Sequence, residues 1–589
     1  MKFKIIINDN LYTSWKLYNA DTLKEITEKD DEHNIIENFN PLKYKLFSED
    51  VFEIDVDKKF TLIHSVSRHL LALPGVLRLS EKTYGNSLNN KAYYKCIPDD
   101  KRLPIFLIPY QEKRAFFIKN KVNKYVLFTF ESWDDKHPIG KLSQTLGDVN
   151  DIIIFYEYQL YCKSLNASIN KFTKDTSIAL KKLAGSMYIK NIVGKYKNIE
   201  DRQDDNIITI DPPNSMDFDD AISIKVLNDE SINDRIPNKY IISVYISNVT
   251  LWMDYLNLWS SFSNRISTIY LPDRKRPMLP TILSDSLCSL QENESRLAFC
   301  MDILIEDNII IDISFKNTLI RVKRNYIYEE DDLYKDKIYN SLYRVTRKIF
   351  KNHKYITHIK TSHDIISYYM ILMNYETSKI MSKYKNGIYR SVVLNTDRTE
   401  DLSLDTPDCL PDDINNFIKI WNCSSGQYTA FNNTCSHDLI GPGLETYLHI
   451  TSPIRRLVDL LNLIQIQKNL NLLTLQDESI TFYNKWLNNL DYINITMRAI
   501  RKIQNDCSLL DLCIKDPSIM NTIYKGYMFD KLCRNDGLYQ YTVYLPEIKM
   551  LTRTTLRTNY KNYMAANFKM YLFTNEANFK KKIRLQLID

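Results

Sequence analysis

Apolar residues recur along this chain at three different spacings. Residues 1–70 alternate short apolar runs with acidic stretches such as Thr27 to Glu32, and close with Phe47-Ser-Glu-Asp-Val-Phe52 and Phe60-Thr-Leu-Ile63. That pattern predicts short strands in a β-rich unit. Five further runs, from Leu73 to Leu79, Ala92 to Lys95, Ile105 to Ile108, Arg114 to Ile118 and Tyr125 to Phe130, are separated by turn residues and predict a small barrel. Residues 150–165 read as helix, and 166–205 as a Lys- and Asp-rich connection. Ile207, Ile208 and Ile210 then form a short buried strand, while Ile222, Ile224 and Val226 alternate with Ser223 and Lys225 as in a half-exposed one. Further on the spacing becomes helical: Ile454, Leu457, Val458, Leu461 and Ile464 share one face, and 470–520 reads as amphipathic helices. The last segment returns to strands, with runs from Lys525 to Phe529, Gly537 to Tyr544, Phe568 to Phe573 and Lys580 to Leu585. Strand clusters on either side of a mixed middle predict an α+β multidomain chain.

Length agrees with that reading, because 589 residues suffice for three to five domains. Charge narrows the function classes only a little. Lys and Arg number 78 against 72 Asp and Glu, a formal charge of +6, so a polyanion would need a local basic groove rather than a basic surface throughout. Ten cysteines include no CxxC pair, and Cys423, Cys435 and His437 lack zinc-ligand spacing, so reduced thiols are expected. No run of eighteen apolar residues occurs and the N-terminal run is too short for a signal peptide. An intracellular protein is expected, cytoplasmic with the nucleus as an alternative, without a membrane partner.

The chemistry concentrates between the two central strands. Asp211, Asp217, Asp219 and Asp220 fall within ten residues, on a connection stiffened by Pro212 and Pro213. Either water screens these four like charges on an exposed turn, or a hard divalent cation neutralises them, and Mg²⁺ suits a few carboxylates with water and phosphate. A calcium helix-loop-helix is excluded, since Met216 and Ile222 stand where Gly and Glu are required. A second focus is Tyr447-Leu-His-Ile-Thr-Ser-Pro-Ile-Arg-Arg-Leu-Val-Asp459. Ser452 as N-cap and Pro453 at the first helical position would put Arg455 and Arg456 in the first turn, where cations oppose the helix dipole unless an anion sits between them. A plain Arg455–Asp459 pair along the helix is the alternative. In the first barrel, Tyr84, Tyr93, Tyr94, Phe116 and Phe117 lie among Lys82, Lys91, Lys95 and Arg114, as core or as a base-stacking platform.

The acid spacing, Asp-Pro followed by acids six, eight and nine residues on, resembles the signature of the ribonuclease II (RNB) family. The resemblance extends through Val244-Tyr-Ile-Ser-Asn-Val-Thr250, Tyr270-Leu-Pro272, Pro277-Met-Leu-Pro280, Leu287-Cys-Ser-Leu290 and the 447–459 string. It implies an RNB catalytic domain, a mixed β-sheet with helices, flanked by small OB-type barrels: a reduced OB-like unit at 1–70, a cold-shock-type barrel at 71–165, a linker at 166–205, the catalytic domain at 206–520 and an S1-type barrel at 521–589. The implied activity is Mg²⁺-dependent 3′→5′ hydrolysis of single-stranded RNA to nucleoside 5′-monophosphates; a catalytically silent RNA-binding scaffold on the same fold is the alternative. On that resemblance Asp211, Asp217 and Asp220 hold the metal, Asp219 and Arg455 are catalytic, and Tyr270, Tyr328, Tyr447, His449, Ser452 and Arg456 meet RNA. The sequence departs from the pattern at Asn248, and at Ser367 and Tyr368, where the family carries glutamates that act as base and ribose contact. A monomer is expected, with association to an RNA-degradation complex as a further partner.

Overall fold

The computed structural model describes the chain except for residues 1, 28–38, 56–58, 88, 112–120, 183–187, 228–238, 353–357, 392–409, 412–413, 416, 419–425, 433–443, 535 and 589. The Arg114 to Ile118 run and the Cys423, Cys435 and His437 group therefore lie outside the described residues. The chain opens on an antiparallel sheet ordered Trp15–Asn19, Lys2–Ile7, Val51–Ile54, Phe60–His64. Its alternating inward residues Phe3, Ile5 and Phe52 share one core with the next unit, a closed barrel of Leu73–Leu77, Ala92–Pro98, Phe106–Tyr110, Lys124–Ser132 and Ile139–Asp148. Phe47 from the first unit stacks on Trp133 of the second at 4.9 Å. The two units are thus packed as one body. Gly75 is needed where it stands, because a Cβ there would meet Cys96 Sγ at 2.9 Å and the Ile97 carbonyl at 3.0 Å across the barrel wall.

Asp151 caps the helix Ile152–Cys162 by accepting from Ile153 N at 2.8 Å. The expected linker is largely structured: it holds helices Asn170–Lys182 and Tyr188–Lys195 and the first half of a thirteen-residue strand, Ile199–Asp211. Glu200 to Asp205 read as polar connection from sequence, yet their strand runs parallel to Ile309–Ile327 and closes a second barrel with Asp220–Val226, Lys239–Ser247 and Ser295–Glu306. The polar run is tolerated because Arg202 finds a buried partner. Its two terminal nitrogens meet Asp302 at 2.6 and 2.7 Å, and Ser243 Oγ donates to the same carboxylate at 2.7 Å. Burial alone would raise the Asp302 carboxyl, but these donors outweigh it and hold the group down at about 2. A carboxyl depressed on folding stabilises the protein above its unfolded value near 4 and ceases to as pH falls through its folded value. Acid unfolding followed by circular dichroism should therefore show Asp302→Asn losing about 2 kcal/mol at pH 7, the deficit shrinking between about pH 4 and pH 2.

Helices pack on the outside of this barrel and share one core with its strands. The longest against it, Ser362–Lys383, starts with a reciprocal cap between Thr361 and Asp364. Asn248, where the family pattern has Asp, caps Val249–Tyr255 and bonds Asn317 and Gln467, a neutral network in a fully buried place. The helices Leu457–Asn469, Asp477–Leu487 and Leu490–Lys515 follow. The chain ends in an antiparallel sheet ordered Met550–Leu556, Tyr539–Leu545, Ile523–Cys533, Ala565–Thr574, Lys581–Ile588. This corrects the expected third barrel in one respect. Its edge strands meet through Thr554 Oγ1 and the Leu585 carbonyl at 3.4 Å, without a backbone ladder among the described residues. No helix among the described residues is long and apolar enough to cross a membrane.

Candidate active site

The acid loop sits at the lip of the second barrel. Asp211 is the last residue of one strand and Asp220 the first of its antiparallel neighbour, so pairing of the two strands brings their carboxylates side by side. Prolines alone do not hold the loop. Ser289 Oγ accepts from Phe218 N at 3.1 Å and donates to the Met216 carbonyl at 2.8 Å, while Ser247 N donates to the Asp219 carbonyl at 2.8 Å.

The 447–459 string comes to this loop from the other side, and its local structure differs from the expected helix start. The helix begins at Leu457, with Arg456 extended in the cap position. Tertiary partners claim the backbone groups that an earlier turn would need. The Leu457 N–H, which an earlier helix would send to the Pro453 carbonyl, donates to the Ile266 carbonyl at 2.9 Å, and Thr268 N donates to the Arg455 carbonyl at 3.0 Å. The alternative Arg455–Asp459 pair is replaced by Arg456–Asp459 at 2.8 Å. Arg455 instead meets Asp219: its Nε donates to one carboxylate oxygen at 3.0 Å and Ile454 N donates to the other at 2.9 Å. Asp219 is buried while the Arg455 side chain is 46% exposed, so the carboxylate is a fixed anchor and the guanidinium keeps donors facing the cleft. Burial pushes the Asp219 carboxyl up to about 7, even with Arg455 beside it.

The remaining acids divide. Asp211 is shifted upward by burial and then by the charge of Asp220, and Asp220 is shifted upward by burial. Asp211 Oδ2 is buried without a hydrogen-bond partner. Asp217 is turned away from that pair: Lys275 Nζ meets its Oδ1 at 2.9 Å and the Tyr270 hydroxyl donates to its Oδ2 at 3.0 Å. Among the described residues no three His, Cys, Asp or Glu side chains converge as a metal cage. Two neighbouring carboxylates with an orphaned oxygen nevertheless fit Mg²⁺, which is commonly held by one or two carboxylates together with water and substrate phosphate. Of the three acids expected to hold metal, Asp211 and Asp220 lie together, while Asp217 is paired with Lys275 and Tyr270.

Two tyrosines flank the loop. Tyr270, 40% exposed, lies on the Asp217 side, and half-buried Tyr328 donates its backbone N–H to the Asp211 carbonyl at 3.0 Å. Three expected RNA contacts are instead inside. Tyr447 is buried with its hydroxyl accepting from Asn374 at 3.0 Å, and buried His449 bonds the Tyr428 hydroxyl through Nδ1 at 2.9 Å. Ser452 is buried as well, its Oγ accepting from Arg455 and Arg456. These residues, with the partly exposed Arg456, shape the loop that carries Arg455. Tyr368 is wholly buried, and Ser367 faces His363 Nδ1 at 3.4 Å, so no acid replaces the family glutamates on that turn. Lys275, Ser289 and Asn374 are site-supporting residues that the sequence reading missed, and Asp459 was read only as a partner for Arg455; the basic run Arg274-Lys-Arg276 beside Tyr270 offered a signal for Lys275. In the first barrel, Tyr94 is core, whereas Tyr84 lies under Lys82 and Lys95.

A carboxylate pair and an anchored arginine thus lie together at the lip of a closed barrel, which an OB-type barrel precedes. Two domains of the chain match known families: residues 199–354 match the RNB domain, and 93–155 match the Dis3-like cold-shock domain 2. It is 28% identical over 227 residues to DIS3-like exonuclease 2 of Schizosaccharomyces pombe, a match covering 37% of this chain and 23% of that protein. The match spans about a quarter to a third of the length of this and similar curated relatives. Ribonuclease R of Mycoplasma genitalium, solved with ribose-methylated single-stranded RNA, superposes over the whole of both chains with a TM-score of 0.64 at 16% identity. Yeast Ssd1, a pseudonuclease, shares the fold over 94% of this chain and 78% of its own, with a TM-score of 0.57 at 13% identity.

Proposed function

We propose that this chain is a Mg²⁺-dependent 3′→5′ exoribonuclease that hydrolyses single-stranded RNA to nucleoside 5′-monophosphates. The observation that carries the reading is the Asp219–Arg455 pair, 236 residues apart in sequence, set beside Asp211 and Asp220. Asp211 and Asp220 would hold the cation, which supplies polarisation of the phosphate and a lowered pKa for the attacking water. Asp219 fixes Arg455, whose free N–H groups meet charge developing on the phosphoryl oxygens. Tyr270 and Tyr328 bound the place of the terminal nucleotide. Lys163, Lys502, Arg553 and Lys582 gather around Asp506 where the Leu490–Lys515 helix meets the C-terminal sheet; burial and mutual repulsion depress Lys502 and Lys582, as a groove made for a phosphate backbone would. The chain would work in the cytoplasm as a monomer, alone or within an RNA-degradation complex.

The raised carboxyls give a pH test. A carboxyl whose folded pKa exceeds its unfolded value binds protons more tightly when folded, so it costs stability as pH rises above the unfolded value. Between pH 6 and pH 8 the metal-free protein should lose melting temperature relative to Asp211→Asn. Mg²⁺ at about a hundred times its pH 8 Kd should restore about 2.7 kcal/mol at pH 8, and the same concentration should restore less at pH 6, where protons compete for the carboxylates.

The competing reading, a silent RNA-binding scaffold, is favoured by the capture of Asp217 by Lys275 and by the lack of acids at Ser367 and Tyr368. Incubation of matched RNA and DNA oligonucleotides with the protein in Mg²⁺ separates the readings. Hydrolysis restricted to RNA supports the exoribonuclease, equal digestion of DNA makes it a general nuclease, and binding without cleavage makes it a scaffold.

A further inference from the structure

Tyr270 and Lys275 are directly opposite one another in the short ladder Ile269–Tyr270 with Lys275–Arg276, so their side chains leave on the same face. Both reach Asp217. Lys275 Nζ sits between two carboxylates, 2.9 Å from Asp217 Oδ1 and 3.0 Å from Asp285 Oδ1. Ser284 Oγ donates to the same Asp285 oxygen at 2.6 Å, which fixes the second carboxylate. The ammonium is largely shielded, its side chain 24% exposed, with Asp217 at 10% and Asp285 at 22%. The next residue cannot substitute for it, since Arg276 is held by Asp273 at 2.6 Å and Glu157 at 3.0 Å.

We infer that Lys275 is a built-in cation of this site: it fills the place between Asp217 and Asp285 that a second divalent ion would need, and leaves a single exchangeable divalent site at Asp211 and Asp220. The inference rests on the divalent-cation reading given above and says how many ions that site takes. An ammonium with three donors satisfies carboxylate oxygens at 2.9–3.0 Å. Mg²⁺ demands oxygens at about 2.0–2.1 Å in a near-octahedral shell, so the two cannot share the position. Unlike a bound ion, the ammonium survives chelation. Asp217 is then a positioning residue, tying the Tyr270 hydroxyl beside the phosphate position whether or not metal is present.

Equilibrium binding of Mn²⁺ to the full chain, read by the electron paramagnetic resonance of the free ion, tests this without reference to activity. The wild type and Lys275→Arg should each hold one Mn²⁺. Lys275→Met should gain a second, and Lys275→Met with Asp217→Asn should return to one. Asp217→Asn alone should change the first Kd by less than about threefold. Should Lys275→Met fail to fold, Asp217→Asn carries the test alone. One Mn²⁺ in folded Lys275→Met at the wild-type Kd, or a loss of about tenfold or more in first-site affinity for Asp217→Asn, would overturn the role of Lys275 and leave the divalent reading standing. No Mn²⁺ on either the wild type or Lys275→Met would overturn both.

Discussion

Arg455→Ala should lower the rate of RNA hydrolysis by about 10²–10³ while leaving RNA affinity nearly unchanged. The guanidinium is held by Asp219 and Ser452 before substrate arrives, so its remaining donors cost no reorganisation when charge develops on the phosphate. Lysine should not restore the rate, because a point charge cannot keep Asp219 and meet a phosphate with the planar fork of arginine. Asp219→Asn should fall nearly as far. Its amide would turn a donor toward Arg455 and release it. Since the two residues act as one unit, the double variant should be little worse than either single one. Single-turnover kinetics on a short RNA, with a separate measurement of binding in EDTA, reads both quantities.

The largest effect on stability is expected at Asp459. It has no exposed surface, and its Oδ1 accepts from both Ser452 N and Arg456 at 2.8 Å. Asp459→Ala leaves a partly buried guanidinium and a buried N–H unanswered, at a cost of about 3–5 kcal/mol. The denaturant midpoint of the catalytic domain should drop accordingly. Asp459→Asn, which still accepts from Ser452, should cost less. Because Ser452 and Arg456 shape the loop around Arg455, the soluble fraction of Asp459→Ala should also lose rate.

These residues show what the sequence could and could not disclose. The acid loop was legible because its signal is local: isoleucines on both sides mark strands, and four acids between them have few other uses. Arg455 stood out in the 447–459 string for the same reason. Its anchor was not, since Asp219 lies 236 residues away. The helix start at Leu457 instead of Pro453 follows from backbone partners on Ile266 and Thr268, which take the Leu457 N–H and the Arg455 carbonyl and override the local capping pattern. Tyr447 and His449 stand next to the arginines in the string, but adjacency says nothing about which side of the loop is filled; Asn374 and Tyr428 fill it. The polar run Glu200 to Asp205 concealed half a barrel strand, because its partner Asp302 lies a hundred residues on. Lys275 was hidden in the same way, 58 residues from Asp217.

What leaves the RNA, and from which end, separates 3′→5′ hydrolysis from silent binding. A single-stranded RNA labelled at its 3′ end in one sample and its 5′ end in another should be incubated with the wild type in Mg²⁺, and the products separated by chromatography. Immediate release of the 3′ label as a nucleoside 5′-monophosphate, with the 5′ label passing through a ladder of shortening fragments and both lost in Asp211→Asn, is the predicted result. RNA left intact, or cleaved equally well by Asp211→Asn, would contradict it.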